Sequence, residues 1–234
     1  MPTDPAPIRT DYKPKRQQLP DEVASYVREI IMTGAVRPGE FLRLDRISAA
    51  LGVSNTPVRE GLLALSGEGF VIQVPRRGFV VAPFRREDIR DLFWAQAWLA
   101  GELAARAATR IGPAELDALE RIVGQYETAQ AENDGVALAD LGHAFHREIN
   151  LSAGSVRLAT LLGSVVRNLP HRFYATIEGA VDASLTEHPL IIEALRAGDP
   201  EGSRKLMERH VSVGANLLID SLERAGMWGD QPTS

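Results

Sequence analysis

The chain has 234 residues, of which 44% are hydrophobic and 24% charged, and its formal net charge is −5. That length suits two small domains, each with a core of its own, and the acidic balance argues against a general nucleic-acid coat protein. Because the chain contains no cysteine, disulfides, zinc ribbons and thiol nucleophiles are excluded.

The charge is distributed unevenly along the chain. Residues 1–83 carry 11 Lys and Arg against 9 Asp and Glu, whereas residues 84–234 carry 15 against 22. A mildly basic front and an acidic back are typical of a small DNA-reading module that carries a larger domain, although chance asymmetry is the alternative.

The sequence predicts no membrane span, because no apolar run approaches roughly 18 residues. Residues 1–18 are rich in proline and charge and lack the apolar run of a secretory signal. We therefore expect a disordered arm there, and a cytoplasmic protein.

Residues 19–83 are predicted to hold three helices followed by a β-hairpin. The first helix begins near Leu19, shows apolar residues at helical spacing and ends at Gly34. A short second helix covers roughly 45–51 and stops at a glycine.

The third helix has the strongest start signal. Ser54 is a favoured N-cap, and Pro57 falls in the first turn, where its missing N–H costs nothing. Two β-rich runs within residues 70–84 then flank a turn that contains Pro75 and Gly78, which predicts a hairpin. This order of elements is that of a winged helix-turn-helix.

The start of the third helix carries the groups that a recognition helix presents to the major groove: hydroxyls, an amide and a guanidinium. Arginines at the hairpin tip stand where a wing meets DNA, and others upstream could contact phosphates. Each residue alone is better explained as a helix start or a solvated charge; the ordered combination favours DNA. The candidate DNA-binding residues are Arg28, Arg43, Arg46, Ser54, Asn55, Thr56, Pro57, Arg59, Arg76, Arg77 and Gly78.

Beyond a charged linker the strand signals disappear, and residues 84–226 are predicted to form an all-helical domain with a loose tail at 227–234. The expected helices lie near 86–110, 114–132, 135–151, 155–177, 184–197 and 200–225. The predicted fold class is therefore mainly α, with an N-terminal winged helix-turn-helix that has a small β-hairpin wing and a C-terminal all-α bundle.

Three histidines, His146, His188 and His210, occupy the apolar sides of separate predicted helices. One such histidine is usually a packed core residue. Three in one bundle indicate a shared divalent metal, because buried polar groups need partners and a metal satisfies three nitrogens at once. The other two, His143 and His171, are interpreted as surface or local packing residues.

Three further residues in the 86–110 helix stand out. Gln96 interrupts its apolar stripe and is expected to point into a cavity. Trp94 and Trp98, one turn apart, are interpreted as packing or interface residues rather than a ligand cage.

Residues 20–82 resemble the DNA-binding domain of GntR-type transcription regulators. The match runs through PGEFLRLDRISAALGVSNTPVREGLLALSGEGFV and the wing RRGFVV, and its most specific part is the GVS-x-TPVRE core at 52–60. The resemblance implies sequence-specific DNA binding. Asn55 and Asp45 stand where the family usually has arginine, and Gly61 replaces an alanine, so we expect fewer phosphate contacts and a shallower salt dependence.

The helical part resembles the FCD effector-binding domain of the FadR-type branch, through residues 144–154 and 186–210 and more loosely through 91–108. The resemblance implies that the three histidines bind a divalent metal, commonly zinc or nickel, that helps to hold a small carboxylate. The family's acidic fourth ligand is replaced by Gly142, and its effector-contacting arginine by Gln96; both are candidate effector-binding residues.

Three functions stay open on this basis. The preferred one is a homodimeric regulator, by resemblance a repressor, that is not an enzyme, binds a pseudo-palindromic operator in double-stranded DNA and responds to a small organic acid. The second is a metalloenzyme whose histidines activate water, although neither Glu187 nor Glu148 is a convincing general base. The third is a metal-free version of the regulator with packed histidines.

Overall fold

The computed structural model describes residues 18–169 and 180–228. Its first six elements form a unit that we call the head. They are α1 (Gln18–Met32), β1 (Phe41–Leu42), α2 (Leu44–Leu51), α3 (Asn55–Gly67), β2 (Val71–Val74) and β3 (Gly78–Val81).

In the head, α3 packs closely against α1. Val58 and Leu62 on the inner side of α3 are fully buried, and Gly61 between them allows the two helices to approach. A Cβ at Gly61 would lie 2.7 Å from the backbone oxygen of Pro20 and 2.8 Å from Cγ1 of Val23. This packing faces one side of α3 inward and leaves the outer side of its first turn to solvent.

The strands form a three-stranded antiparallel sheet in the order β1-β3-β2. The predicted hairpin is present, with β2 and β3 paired from Val71↔Val81 to Val74↔Gly78. The additional strand β1 pairs Phe41 with Val80. The sequence did not indicate β1, because two residues are too few to show an alternating pattern.

The remaining elements, α4 to α9, form the helical domain. They are α4 (Arg86–Ala108), α5 (Pro113–Ala131), α6 (Gly135–Ser152), α7 (Val156–Val166), α8 (Ala180–Arg196) and α9 (Pro200–Arg224). The most extensive helix–helix contact is that of α4 with α9. Small residues on α4 make it close: a Cβ at Gly101 would lie 2.6 Å from Cγ of Glu208.

The predicted fold class is confirmed: the chain is mainly α, with a small antiparallel sheet in the head and a helical C-terminal domain. The helix predicted over 155–177 is wrong in its extent, because α7 ends at Val166. Residues 167–169, which follow α7, form a turn, and the rest of the predicted helix, 170–177, lies outside the described residues. Across residues 18–169 and 180–228, no helix is long and apolar enough to cross a membrane.

The head and the helical domain share one continuous core, and the end of the chain helps to close it. Met227 is 4% exposed, and the indole Nε1 of Trp228 donates a hydrogen bond to the carbonyl of Phe84 at 2.6 Å. The prediction of a loose tail is therefore wrong for residues 227 and 228; the rest of that predicted tail, 229–234, lies outside the described residues.

Candidate nucleic-acid interface and metal centre

The first turn of α3 presents a set of polar side chains to solvent. Ser54, Asn55, Thr56 and Arg59 are all exposed, whereas Pro57 is buried. Ser54 has the extended backbone of an N-cap residue, yet its hydroxyl makes no capping hydrogen bond. The hydroxyl therefore stays available, and the N-terminal N–H groups of a helix favour an anion such as a phosphate.

The tip of the β-hairpin carries two exposed arginines. Arg76 has a left-handed backbone, with φ of 61°, and Gly78 follows with φ of 107°, a value that favours glycine. The guanidinium carbon of Arg77 lies 4.9 Å from the centre of the Phe41 ring, a cation–π contact that ties the tip to β1.

The arginines upstream of α3 divide into two kinds. Arg43 and Arg46, at the start of α2, are exposed. Arg28 is only 9% exposed, and its Nε and Nη2 donate to the two carboxylate oxygens of Glu68 at 2.9 and 3.0 Å. The structure therefore contradicts the assignment of Arg28 to a DNA contact: packing of α1 against α3 turns its side chain inward, where it joins the two helices.

The helical domain brings together the three histidines that the sequence singled out. His146 lies on α6, His188 on α8 and His210 on α9, and one ring nitrogen from each lies within 4.8 Å of the other two. Each imidazole projects from the apolar side of its helix, so the packing of the three helices carries them to one point.

The ring geometry shows how the cluster is built. Nε2 of His146 lies 3.3 Å from Nε2 of His210. His188 is 2% exposed and stacks on Phe145, with ring centres 3.9 Å apart. Its Nε2 is buried without a hydrogen-bond partner among the described residues, which is costly unless something else satisfies it.

The surroundings keep two of these histidines neutral. Burial lowers the pKa of His146 well below 6.5, and the neighbouring His210 and His143 lower it further. Burial likewise lowers the pKa of His188 well below 6.5, with contributions from His210 and His146. Neutral imidazole is the form that binds a metal ion.

An acidic side chain supports the third histidine from outside. Oε2 of Glu187 lies 2.9 Å from Nδ1 of His210, and Oε1 accepts a hydrogen bond from Nε of Arg209 at 3.1 Å. The hydrogen bond from His210 and the charges of His210 and Arg209 lower the pKa of Glu187. No pattern in the sequence indicates this contact, because Glu187 and His210 are on different helices.

A cavity opens beside the histidines, with about 910 Å³ of empty space when its mouth is included. The enclosed part of the cavity is about 100 Å³, which leaves room for a small ligand of a few non-hydrogen atoms. Gln96 lines it as expected, and its Oε1 is buried without a partner among the described residues. Gly142 also lines it; a Cβ there would meet only Cε2 of Tyr126, at 3.9 Å.

The remaining candidates lie in different surroundings. His143 lines the cavity rather than the outer surface, whereas His171 lies outside the described residues. Trp94 and Trp98 are 67% and 61% exposed, so neither is a core residue of this chain.

Asn150 and Tyr126 also line the cavity. Only Asn150 had a signal in the sequence, because it lies on the same helical stripe as His146.

Comparison with known protein families decides the identity of the two parts. Residues 19–81 match the family described as bacterial regulatory proteins, gntR family, and residues 91–213 match the FCD domain. The chain belongs to the GntR family and carries an FCD domain. It is a DNA-binding transcription regulator, whose head is the DNA-binding domain and whose helical domain is the effector domain.

Relatives of the regulator match it over most of their length. The solved structure of Escherichia coli McbR/YncC has a TM-score of 0.68 at 23% identity and covers 86% of this chain and 97% of its own. The E. coli transcriptional repressor GlaR is 25% identical over 84% of this chain and 94% of GlaR. The E. coli Glc operon transcriptional activator is 27% identical over 90% of this chain and 93% of its own.

FCD domains can bind a metal ion. The geometry of the three histidines in the regulator fits such an ion. Nitrogens on a tetrahedral metal with bonds of 2.0–2.1 Å lie about 3.4 Å apart, close to the 3.3 Å between Nε2 of His146 and His210. The orphaned Nε2 of His188 supplies a third donor. Three imidazole ligands suit zinc, nickel, copper or iron.

Proposed function

We propose that the regulator is a repressor controlled by a small organic acid that binds in the cavity of the helical domain next to a divalent metal, zinc or nickel. The single observation that carries the proposal is the cluster of His146, His188 and His210 at the wall of that cavity. Three histidines leave open coordination positions, and the cavity lies where a ligand could take them.

The metal would be held by the three imidazoles and would act as a Lewis acid toward an acidic group of the ligand. The other residues that line the cavity would then determine which effector binds beside the metal. Gln96 offers an amide where the family usually has an arginine, so it can hydrogen-bond a ligand but cannot neutralise a carboxylate. We therefore expect an effector less acidic than a typical family ligand.

The gap at Gly142 has a direct consequence for the metal. With no side chain at this position, water or the effector would take the coordination site that an acidic residue fills elsewhere in the family. Gly142→Asp should tighten zinc binding, because the position is one helical turn before His146 and the space beside it is open.

We propose that the head reads DNA through Ser54, Asn55, Thr56 and Arg59, with Pro57 setting the start of the helix. The wing residues Arg76, Arg77 and Gly78, together with Arg43 and Arg46, would contact the backbone. Their exposure supports this assignment, as does the N-terminal position that reaches base edges in a helix-turn-helix. Arg28 is left out because it pairs with Glu68.

We also propose that the regulator works as a homodimer in the cytoplasm, with one head on each half of a pseudo-palindromic operator. The exposed rings of Trp94 and Trp98 on α4 support a second copy as the partner, since large exposed apolar groups favour interaction sites. We propose the two domains to be residues 19–83 and 84–226.

No catalytic role is proposed for the histidines. A hydrolytic metal site needs a base beside the metal-bound water, and Glu187 instead contacts Nδ1 of His210, on the ring edge opposite the Nε2 that faces His146. This contact favours a supporting role for the carboxylate.

Two measurements test the proposal. Elemental analysis of the untagged protein should find about one zinc or nickel per chain, and His146→Ala, prepared in parallel, should lose it. Protein that stays metal-free after incubation with either ion would reject the metal-dependent effector site. Separately, operator footprinting should show a protected site with two-fold symmetry; uniform coating of the DNA would reject sequence-specific repression.

A further inference from the structure

Glu187 has an unusual place in the histidine cluster. It directly precedes His188 in α8, yet its carboxylate contacts a different histidine of the cluster. Oε2 lies 2.9 Å from Nδ1 of His210 on α9, while the side chain is 14% exposed. Its other oxygen accepts a hydrogen bond from Arg209, whose side chain is 58% exposed.

This contact determines which nitrogen of His210 carries the proton. A carboxylate can only accept a hydrogen bond, so Nδ1 of His210 must be the donor. In the neutral ring Nε2 is then a bare lone pair, and it is the nitrogen that lies 3.3 Å from Nε2 of His146. Glu187 thus holds His210 in the tautomer and orientation that a metal at the cluster requires.

The carboxylate of Glu187 would also offset part of the positive charge of a metal ion bound at the site. Gly142 supplies no acid from α6, and the three side chains that would hold the ion are all histidines. A divalent ion held by these alone keeps its whole charge in a largely buried place, which is unfavourable. Glu187 brings a negative charge one imidazole away from the ion.

We propose that Glu187 is the positioning residue of the metal site: it orients His210 and supplies, from one shell further out, the negative charge that Gly142 does not. The inference rests on the proposed function, since it requires that the cluster binds a metal. Arg209 plays a lesser part, because its guanidinium is mostly in solvent and exposed ion pairs contribute little.

The test is zinc affinity of the full chain, measured by competition with a chromogenic zinc chelator. Glu187→Gln is nearly isosteric and removes the charge; we expect it to bind zinc about 10–100-fold more weakly than the wild type. The matched control is Glu193→Gln, an exposed acid six residues further along α8. The control, and likewise Arg209→Gln, should stay within about threefold of the wild type, as expected for exposed charges.

A second readout separates positioning from a loss of folding. Long-range ¹H–¹⁵N NMR of the metal-free protein at pH 8 should show His210 protonated at Nδ1 in the wild type and a mixture of tautomers in Glu187→Ala. The cooperative thermal melt of each variant in EDTA reports whether it is folded.

The outcomes distinguish the two proposals. If the wild type binds zinc and Glu187→Gln binds it equally well, the role of Glu187 is refuted while the metal site stands. If the wild type binds no zinc, the metal site fails and this inference falls with it. An unchanged His210 tautomer in Glu187→Ala would also refute the positioning role.

Discussion

Replacement of Trp228 should destabilise the helical domain, because this residue fixes the end of the chain to the segment just before α4. Trp228 follows α9 and donates its indole N–H to the carbonyl of Phe84, just before α4, at 2.6 Å. Its ring lies against the guanidinium of Arg86, 4.6 Å from the ring centre, and Arg86 pairs with Glu223 at 2.5 Å. Several contacts between the start of α4 and the end of α9 therefore depend on one side chain.

The expected cost can be worked out contact by contact. A net hydrogen bond contributes about 1 kcal/mol, and a cation–π contact at a partly exposed site about 0.5–1 kcal/mol. Loss of a half-buried tryptophan ring adds roughly 1.5–2 kcal/mol, about half of the value for a fully buried one. We therefore expect Trp228→Ala to lower the free energy of unfolding by about 3–4 kcal/mol, and Trp228→Phe, which keeps a ring but not the donor, by about 1 kcal/mol.

Urea unfolding of the full chain, followed by circular dichroism and calorimetry, measures these values. Val156→Ala is the control, because that side chain is 78% exposed, and it should change the free energy of unfolding by less than about 0.5 kcal/mol. A change below about 0.5 kcal/mol in Trp228→Ala would refute the reasoning.

Three further predictions concern the DNA face, the head core and the histidines. Arg59→Ala should weaken binding to an operator fragment by about 5–150-fold, as loss of a base-contacting arginine does; fluorescence anisotropy would contradict this if affinity were unchanged. Gly61→Ala should lower the free energy of unfolding by about 1–3 kcal/mol through overpacking against α1, and urea melts showing a gain would refute it. In metal-free protein, burial keeps the folded pKa of His146 and His188 below 6.5, so the unfolded chain binds protons first as the pH falls. Stability should then be highest above pH 6.5 and drop below it by up to about 1.4 kcal/mol per pH unit for each histidine; a flat profile from pH 7.5 to 5 would contradict it.

The relatives leave the direction of regulation open to experiment. GlaR is named a repressor and the Glc operon protein an activator, and both are similar to this chain over most of its length. Footprinting locates the operator, and its position relative to the promoter then tests the proposed repression directly.

Local chemistry made the helices of this protein predictable. Ser54 and Pro57 predict the start of α3, because an N-cap residue and a first-turn proline both favour a helix start through local backbone effects within one turn. The three histidines were found because each falls on the apolar stripe of its own helix, a pattern with a period of 3.6 residues. The cluster could be expected from those stripes, although its distances could not.

Long-range packing decided the features that local sequence patterns do not predict. Arg28 has the same local signs as the exposed arginines, and only the approach of α1 to α3 places it against Glu68. Two residues become β1 only because β3 lies beside them. Glu187 reaches His210, and Trp228 reaches Phe84, across 23 and 144 positions of sequence.

These contacts depend on the angles at which helices pack and on which distant segments of the chain become neighbours. Periodicity and capping signals in the sequence predict neither of these. The residue types therefore established a DNA-reading head and a helical domain with a histidine cluster. The tertiary structure alone decided which arginines face solvent, which carboxylate supports the cluster and how the end of the chain is fixed to the start of α4.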